Sequence, residues 1–423
     1  MAEYRRRGEE KMAADGFYFR DQMSTMAKER LEQSEIGEMI KLSIENRAIS
    51  FTAGEPSADV YPLEELKEAF AGIFDDTSLL AYYKDDFGYV ELRDWIETQM
   101  RADGISPDWV DRRNILLTNG AGEAIALISE ALIDPGSVVL VESPTYTESL
   151  LTFRKQGAMC VSVPSDDSGM IPEALEEILK KRKVRFLYTI PNFQNPSGRT
   201  ATLDRRVRIL KTAAKYDIPI LEDDPYHYLS YDELPPDTYL KLACDDKRVI
   251  YTNSFSKTVA PGIRCGWAVV PDALIPQLNA LRVSAGLTRP AIVQRGLLNY
   301  LQNIDMGDRV RSLCVTYRKR RDGMMAAIAK FLTPAGVRTN YPKGGFFMWG
   351  EAEGVDDMRA FARYAVTEKK IGIIPGSAFF TQDESEKGKH AFRISFAKVS
   401  PDLAEEGARR LAEAFADYGR IKA

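Results

Sequence analysis

One lysine, Lys257, stands among small hydroxyls in the stretch YTNSFSKTVAPGIRCGW, residues 251–267, with Arg264 close behind it. A lysine whose pKa is lowered by its surroundings is a nucleophile that condenses with an aldehyde. Ser254, Ser256 and the planar fork of Arg264 can together hold a phosphate. Asp223 ends the apolar run IPILEDD, so its carboxylate is expected to be buried at a crevice and to need a partner there. A protonated ring nitrogen would serve. Ala121-Gly122-Glu123 opens a helix directly after a strand, and its free backbone N–H groups with the helix dipole make an anion site. Tyr146 can stack on a planar ring, and Asn195 and Tyr226 can hydrogen-bond a ring oxygen. The chain has only two histidines, His227 and His390, which disfavours a histidine metal site or a Ser-His-Asp triad.

These residues must be brought together by the elements that carry them. Between residues 113 and 270, short apolar runs alternate with amphipathic stretches. The runs are NILLT, SVVLVES, AMCVSV, VRFLYTI, IPILEDD, VIYTNS and CGWAVV; EAIALISEALI, TESLLTFRKQG, PEALEEILKKRK and LDRRVRILKTAAKY separate some of them. Such alternation predicts a mostly parallel seven-stranded sheet between helices, with strands buried on both faces. Ligands of open α/β sheets bind beyond the carboxyl ends of the strands, where all of these polar residues fall. An aldehyde, a pyridinium nitrogen, a phenolic oxygen and a phosphate in one ligand describe pyridoxal 5′-phosphate (PLP).

After about residue 305 the pattern changes. A long helical stretch, RVRSLCVTYRKRRDGMMAAIAKFL, leads into short strands and a closing helix from Pro401, a smaller α+β unit. The reading is a large domain over 61–309 and a small domain from 1–60 with 310–423, including an N-terminal arm. One helical segment is expected near MAKERLEQSEIGEMIKLSIE. A net charge of −5 argues against nucleic-acid binding. No apolar run is long enough for a membrane span. The four cysteines form no C-x-x-C pair and suit a reducing compartment, so a cytoplasmic location is expected.

From about residue 50 onward the chain resembles the fold-type I PLP enzymes of the class I/II aminotransferase family. The resemblance rests on FTAGEPSADVYP, TNGAGEAI, ESPTY, PNFQNPSG, EDDPY, SFSKTVAPGIRCGW, PKGGFFMW and FRISFA, in that order. It implies that Lys257 is the Schiff-base lysine, that Asp223 pairs with the pyridine nitrogen, and that Asn195 and Tyr226 contact the ring hydroxyl. It implies a ring-stacking role for Tyr146. Ala121, Gly122, Glu123, Ser254, Ser256 and Arg264 would bind the phosphate. Tyr83 would reach a partner subunit's phosphate across a homodimer interface. Arg393, with Gly54 and Asn195, would grip the substrate α-carboxylate. Ala121 lacks the hydroxyl that many relatives carry, and Lys84-Asp85 replaces the usual Gly-Pro after Tyr83. The implied activity is ping-pong transfer of an amino group from an L-amino acid to a 2-oxo acid. Other PLP chemistry on the same scaffold (β-elimination, decarboxylation, racemisation, oxidation) and an aminotransferase-like regulatory sensor are the alternatives. Phe17, Tyr18, Phe193, Phe255 and Phe379 are candidates for the pocket, which leans toward bulky apolar or aromatic side chains. His227, Phe346, Phe347 and Trp349 read as packing residues, and Glu222 and Asp224, alternating with Asp223, as pointing away.

Overall fold

The computed structural model describes residues 22–81, 85, 87–286 and 289–422. Tyr83, Lys84, Phe17 and Tyr18 lie outside the described residues. A two-residue strand, β1 (Ile49–Ser50), precedes the large sheet. The strands of that sheet are β2 (Ile115–Thr118), β3 (Val138–Ser143), β4 (Met159–Asp166), β5 (Gly169–Met170), β6 (Val184–Thr189), β7 (Ile220–Asp223), β8 (Val249–Ser254) and β9 (Gly266–Val269). Their order is β2-β9-β8-β7-β6-β3-β4-β5. The run from β8 through β7, β6 and β3 to β4 is parallel, while β9 is antiparallel to both β2 and β8. The seven expected strands are all present. The eighth, β5, pairs antiparallel with β4 through two residues and was too short to register as an apolar run.

Burial explains why these strands read as nearly continuous apolar sequence. Every residue of β2, β7, β8 and β9 is buried. Because strand side chains alternate between faces, each strand feeds two cores. Leu117, Leu140, Leu187, Ile220 and Tyr251 enter one. Leu116, Val139, Phe186, Tyr188 and Ile250 enter the other. Helices Ala121–Leu132, Thr147–Lys155, Pro172–Leu179 and Leu203–Lys215 follow β2, β3, β5 and β6.

A second sheet comprises β10 (Arg338–Thr339), β11 (Phe347–Glu351), β13 (Ile374–Pro375) and β14 (Ala391–Ser395), antiparallel throughout in the order β10-β11-β14-β13. Between β11 and β13, β12 (Ile371–Gly372) pairs in parallel with β1, tying residues near the start of the chain to this unit. Its core holds Phe51, Tyr317, Phe346, Phe347, Trp349, Phe361 and Phe392, in agreement with the packing role read for the aromatics around Phe346. The stretch expected as one N-terminal helix is broken. A π-turn at Met26–Arg30 is separated from helix Glu35–Glu45, which Ser34 caps by accepting from Gly37 N at 3.1 Å. Among the described residues, no helix is long and apolar enough to cross a membrane.

Candidate active site

The carboxyl ends of the strands converge on a cavity of about 220 Å³. Gly120 comes from the turn after β2, Ala121 and Gly122 from the N-terminus of helix Ala121–Leu132, Tyr146 from the turn after β3, and Asn195 from the loop after β6. Asp223 is the last residue of β7, Tyr226 follows it, and Ser254, Ser256 and Lys257 close β8 and its loop. Arg264 completes the wall. Each of these line the cavity as the strand-end argument requires.

The anion end is built from turns. Gly120 has φ +84°, a left-handed conformation that a side chain would strain. A Cβ there would also sit 3.0 Å from Arg264 Nη2. The absence of one lets the guanidinium close over the helix N-terminus, where Arg264 Nη2 donates to Asn119 O at 2.5 Å. Ser254 Oγ donates to Ser256 Oγ at 2.8 Å, so both hydroxyls face the same space. Glu123 does not line the cavity. Its side chain pairs with Arg289 and accepts from Asn119 N at 2.6 Å, and its N–H donates to Gly120 O at 3.2 Å. It thus braces the turn.

The deep end is carboxylate. Asp223 Oδ2 accepts from the Tyr188 hydroxyl at 2.7 Å, and Tyr188 in turn accepts from Ser149 Oγ at 2.9 Å. Asp223 Oδ1 is buried and, among the described residues, has no hydrogen-bond partner. Burial, with Asp224 and Glu142 nearby, pushes the Asp223 carboxyl up to about 7, against the Tyr188 hydrogen bond and the charge of Lys257. Glu222 and Asp224 do point elsewhere. Glu222 accepts from Tyr239 N and Leu240 N, each at 2.9 Å, and Asp224 holds His227 Nδ1 at 2.8 Å.

Lys257 Nζ donates to Gly54 O at 2.9 Å and lies 5.9 Å from the ring centroids of Tyr226 and Phe346. Burial holds its pKa down to about 8, opposed by Glu55 and Asp223 and assisted by Arg264 and Arg393. Arg393, on β14, is fully buried in the floor of the second sheet beside the cavity. It donates to Asn195 Oδ1 at 2.8 Å and to Thr52 O at 2.5 Å, and its guanidinium stands 4.4 Å from the centre of the Phe347 ring. Its Nε has no partner, and among the described residues no carboxylate pairs with it. Burial lowers its pKa to about 10. A buried cation without a counterion is costly unless a ligand supplies one.

These features fit PLP on the residues alone. An orphaned carboxylate oxygen suits a protonated ring nitrogen. The helix N-terminus with two hydroxyls and an arginine suits a phosphate. A partly neutral lysine suits an aldehyde.

Residues 46–411 match the family model for aminotransferase class I and II. The chain belongs to this aminotransferase family. It is 33% identical to aromatic-amino-acid aminotransferase 1 of Thermococcus litoralis, over 90% of this chain and 91% of the relative. The α-aminoadipate aminotransferase of Thermus thermophilus, solved with N-(5′-phosphopyridoxyl)-L-leucine, superposes with a TM-score of 0.86 at 30% identity, covering 96% of this chain and 100% of that one. The kynurenine aminotransferase of Pyrococcus horikoshii, solved with pyridoxamine phosphate and its substrates, gives 0.88 at 31% identity over 96% and 99%. The fold is that of the fold-type I enzymes, the chain is an aminotransferase, and its cofactor is PLP.

Three features of the site were not legible beforehand. Tyr188 alternates with Leu187 inside an apolar strand, and only its hydroxyl hinted at more than packing. Ser149 lies on a helix face that reads as core. Asp85, which with Lys84 replaces the family's usual Gly-Pro, pairs with Arg93. Of the aromatics expected near the pocket, Phe379 lies 5.0 Å from the Arg393 guanidinium, whereas Phe255 packs between Trp95 and Trp267 in the large-sheet core. Phe193 is buried with the second-sheet core.

Proposed function

We propose that this aminotransferase moves an amino group from an L-amino acid with a bulky apolar or aromatic side chain to a 2-oxo acid, with Lys257 as the residue that binds PLP covalently. One observation carries the reading. Lys257 Nζ and the free Asp223 Oδ1 belong to one cavity whose other end is a helix N-terminus flanked by Ser254, Ser256 and Arg264. When bound, PLP supplies an aldehyde for amino-group exchange and a ring that accepts the electron pair released at the substrate Cα.

The remaining work falls to the chain. Ala121, Gly122, Ser254, Ser256 and Arg264 hold the phosphate. Tyr146 stacks on the ring face, and Asn195 and Tyr226 hydrogen-bond its oxygen. Asp223 keeps the ring nitrogen protonated. Lys257, whose burial leaves an appreciable neutral fraction near pH 7, takes the proton from the donor Cα. Arg393 forms two parallel hydrogen bonds to the α-carboxylate shared by donor and acceptor, with Gly54 and Asn195 setting the rest of that subsite. One anchor then serves both half-reactions of a ping-pong cycle. The side-chain preference leans on Phe379 and Phe347 against Arg393 and on the relatives named for aromatic and kynurenine substrates.

The same reading gives a large domain over 61–309 and a small one from 1–60 with 310–423, a homodimer in which Tyr83 reaches the partner's phosphate, and a cytoplasmic location suited to four free cysteines. Borohydride reduction of the PLP-loaded protein followed by peptide mapping tests the core assignment. The pyridoxyl group is expected on Lys257; its recovery on another lysine would refute the reading. A spectroscopic screen of amino donors against the same protein then ranks the side chains.

A further inference from the structure

Asp223 could turn either oxygen to the cavity, or swing toward the nearest cation. Something selects one arrangement. Tyr188 OH lies 2.7 Å from Asp223 Oδ2 and 2.9 Å from Ser149 Oγ, and all three side chains are buried. A carboxylate can only accept, so the phenol donates to Asp223 and its oxygen is left to accept from Ser149. The chain of donors therefore has one direction, Ser149 to Tyr188 to Asp223. It draws on three elements, the helix Thr147–Lys155, β6 and β7. The outcome is a carboxylate with one oxygen tied and the other, Oδ1, free.

We propose that Tyr188, held by Ser149, is a positioning residue that aims Asp223 Oδ1 at the cofactor's ring nitrogen and keeps their shared proton on that nitrogen. The inference rests on the PLP reading above. Its logic is competition for one proton. A hydrogen bond donated to a carboxylate stabilises the charged form and makes it a weaker base. Around Asp223 the other influences mostly act the opposite way. Burial, Asp224 beside it and Glu142 from β3 raise its proton affinity, while Lys257 from the loop after β8 lowers it. Removing the phenol leaves Lys257 as the main opposing influence. The proton would then move onto Asp223, and the ring would lose the positive charge that makes it an electron sink.

Packing alone does not account for the hydroxyl. The Tyr188 ring meets Phe153 edge-on at 5.3 Å, a contact a phenylalanine would preserve. Tyr188→Phe is therefore a clean deletion of one oxygen.

The test loads wild type, Tyr188→Phe and Ser149→Ala with PLP labelled with 15N in the ring and follows the nitrogen chemical shift through neutral pH. Wild type is expected to hold the protonated shift across the range. Tyr188→Phe is expected to move toward the unprotonated value at a lower pH, and Ser149→Ala to move the same way by less. Single-turnover consumption of an amino donor should slow about tenfold in Tyr188→Phe with donor affinity unchanged, the size expected from losing one hydrogen bond to a charged group. A merely structural tyrosine would lower the melting temperature and leave the nitrogen shift in place. If Tyr188→Phe binds no cofactor, Ser149→Ala carries the same measurement. An unshifted nitrogen in whichever variants load overturns the inference while the PLP reading stands. Wild-type protein that takes up no PLP overturns both.

Discussion

At the scale of single residues, the site uses burial to set charge. Lys257 is held down to about 8, chiefly because burial disfavours its ammonium form. Its folded pKa lies below the unfolded value, so the folded state binds fewer protons between about pH 8 and 10.5. The resulting cost to stability is full below pH 8 and fades as pH rises toward 10.5. In cofactor-free protein, trapping of Lys257 by an amine-reactive reagent should have its midpoint near pH 8, and mass spectrometry of the labelled peptide checks it; a midpoint near 10.5 would contradict the burial argument. Arg393 keeps its charge and, among the described residues, lacks a partner carboxylate, which fits its proposed role of binding the substrate α-carboxylate. Arg393→Lys should lower kcat/KM about a hundredfold, some 2.7 kcal/mol, equally for donor and acceptor. A loss confined to one side-chain class would make it a specificity residue instead. Lys257 and Asp223 stood out in the sequence as polar breaks in an apolar strand or turn pattern, whereas Arg393 stood out only through the family resemblance of FRISFA. Tyr188 was not, because a tyrosine at a core position of a strand looks like packing, and its meaning depends on a partner from another strand and one from a helix.

At the scale of elements, the proposed phosphate cradle depends on how closely two backbones approach. A Cβ at Gly266 would lie 2.8 Å from Asn253 O, from Gly120 Cα and from Gly120 C. These are backbone atoms of β8 and of the turn that opens helix Ala121–Leu132, so neither can yield by changing a rotamer. Gly266→Ala should therefore cost about 1–3 kcal/mol through overpacking and weaken PLP binding with it. Thermal melting with and without PLP measures both; a variant that melted lower yet bound PLP unchanged would separate the strand from the cradle. The seven main strands were legible as apolar runs because both of their faces are buried. The two-residue β5 carries no such signal. The break before Glu35 was missed because the apolar spacing continues through it, and only the Ser34 cap marks the new start. What sequence periodicity reports is burial, and it is silent where an element is short or where a cap interrupts without changing polarity.

At the scale of the whole molecule, the proposed carboxylate anchor comes from the second sheet and the proposed Schiff-base lysine from the large sheet, so on that reading catalysis needs both units in register. Arg393 Nη1 bonding Asn195 Oδ1, and Lys257 Nζ bonding Gly54 O, are the links across that divide. The change of pattern after about residue 305 was visible in the sequence, but these links were not, since they join residues 198 and 203 positions apart. A further link is expected between subunits. Just before Tyr83, the side chains of Phe74 and Leu80 are 67% and 61% exposed, apolar surface that a partner subunit would cover. If Tyr83 serves the partner's phosphate, lesions in Lys257 and Tyr83 act at different sites of a mixed dimer. Lys257→Ala and Tyr83→Phe homodimers should both be impaired. Exchange between them gives a heterodimer in which one site carries both lesions and the other carries neither. Activity should return to about a quarter of wild type, since half the dimers are mixed and each has one intact site. Sedimentation must show dimers, and tagged subunits must show that exchange occurred. If it occurred and activity stayed at the level of the parents, Tyr83 would act within its own subunit, and the dimer would not be needed to complete the site.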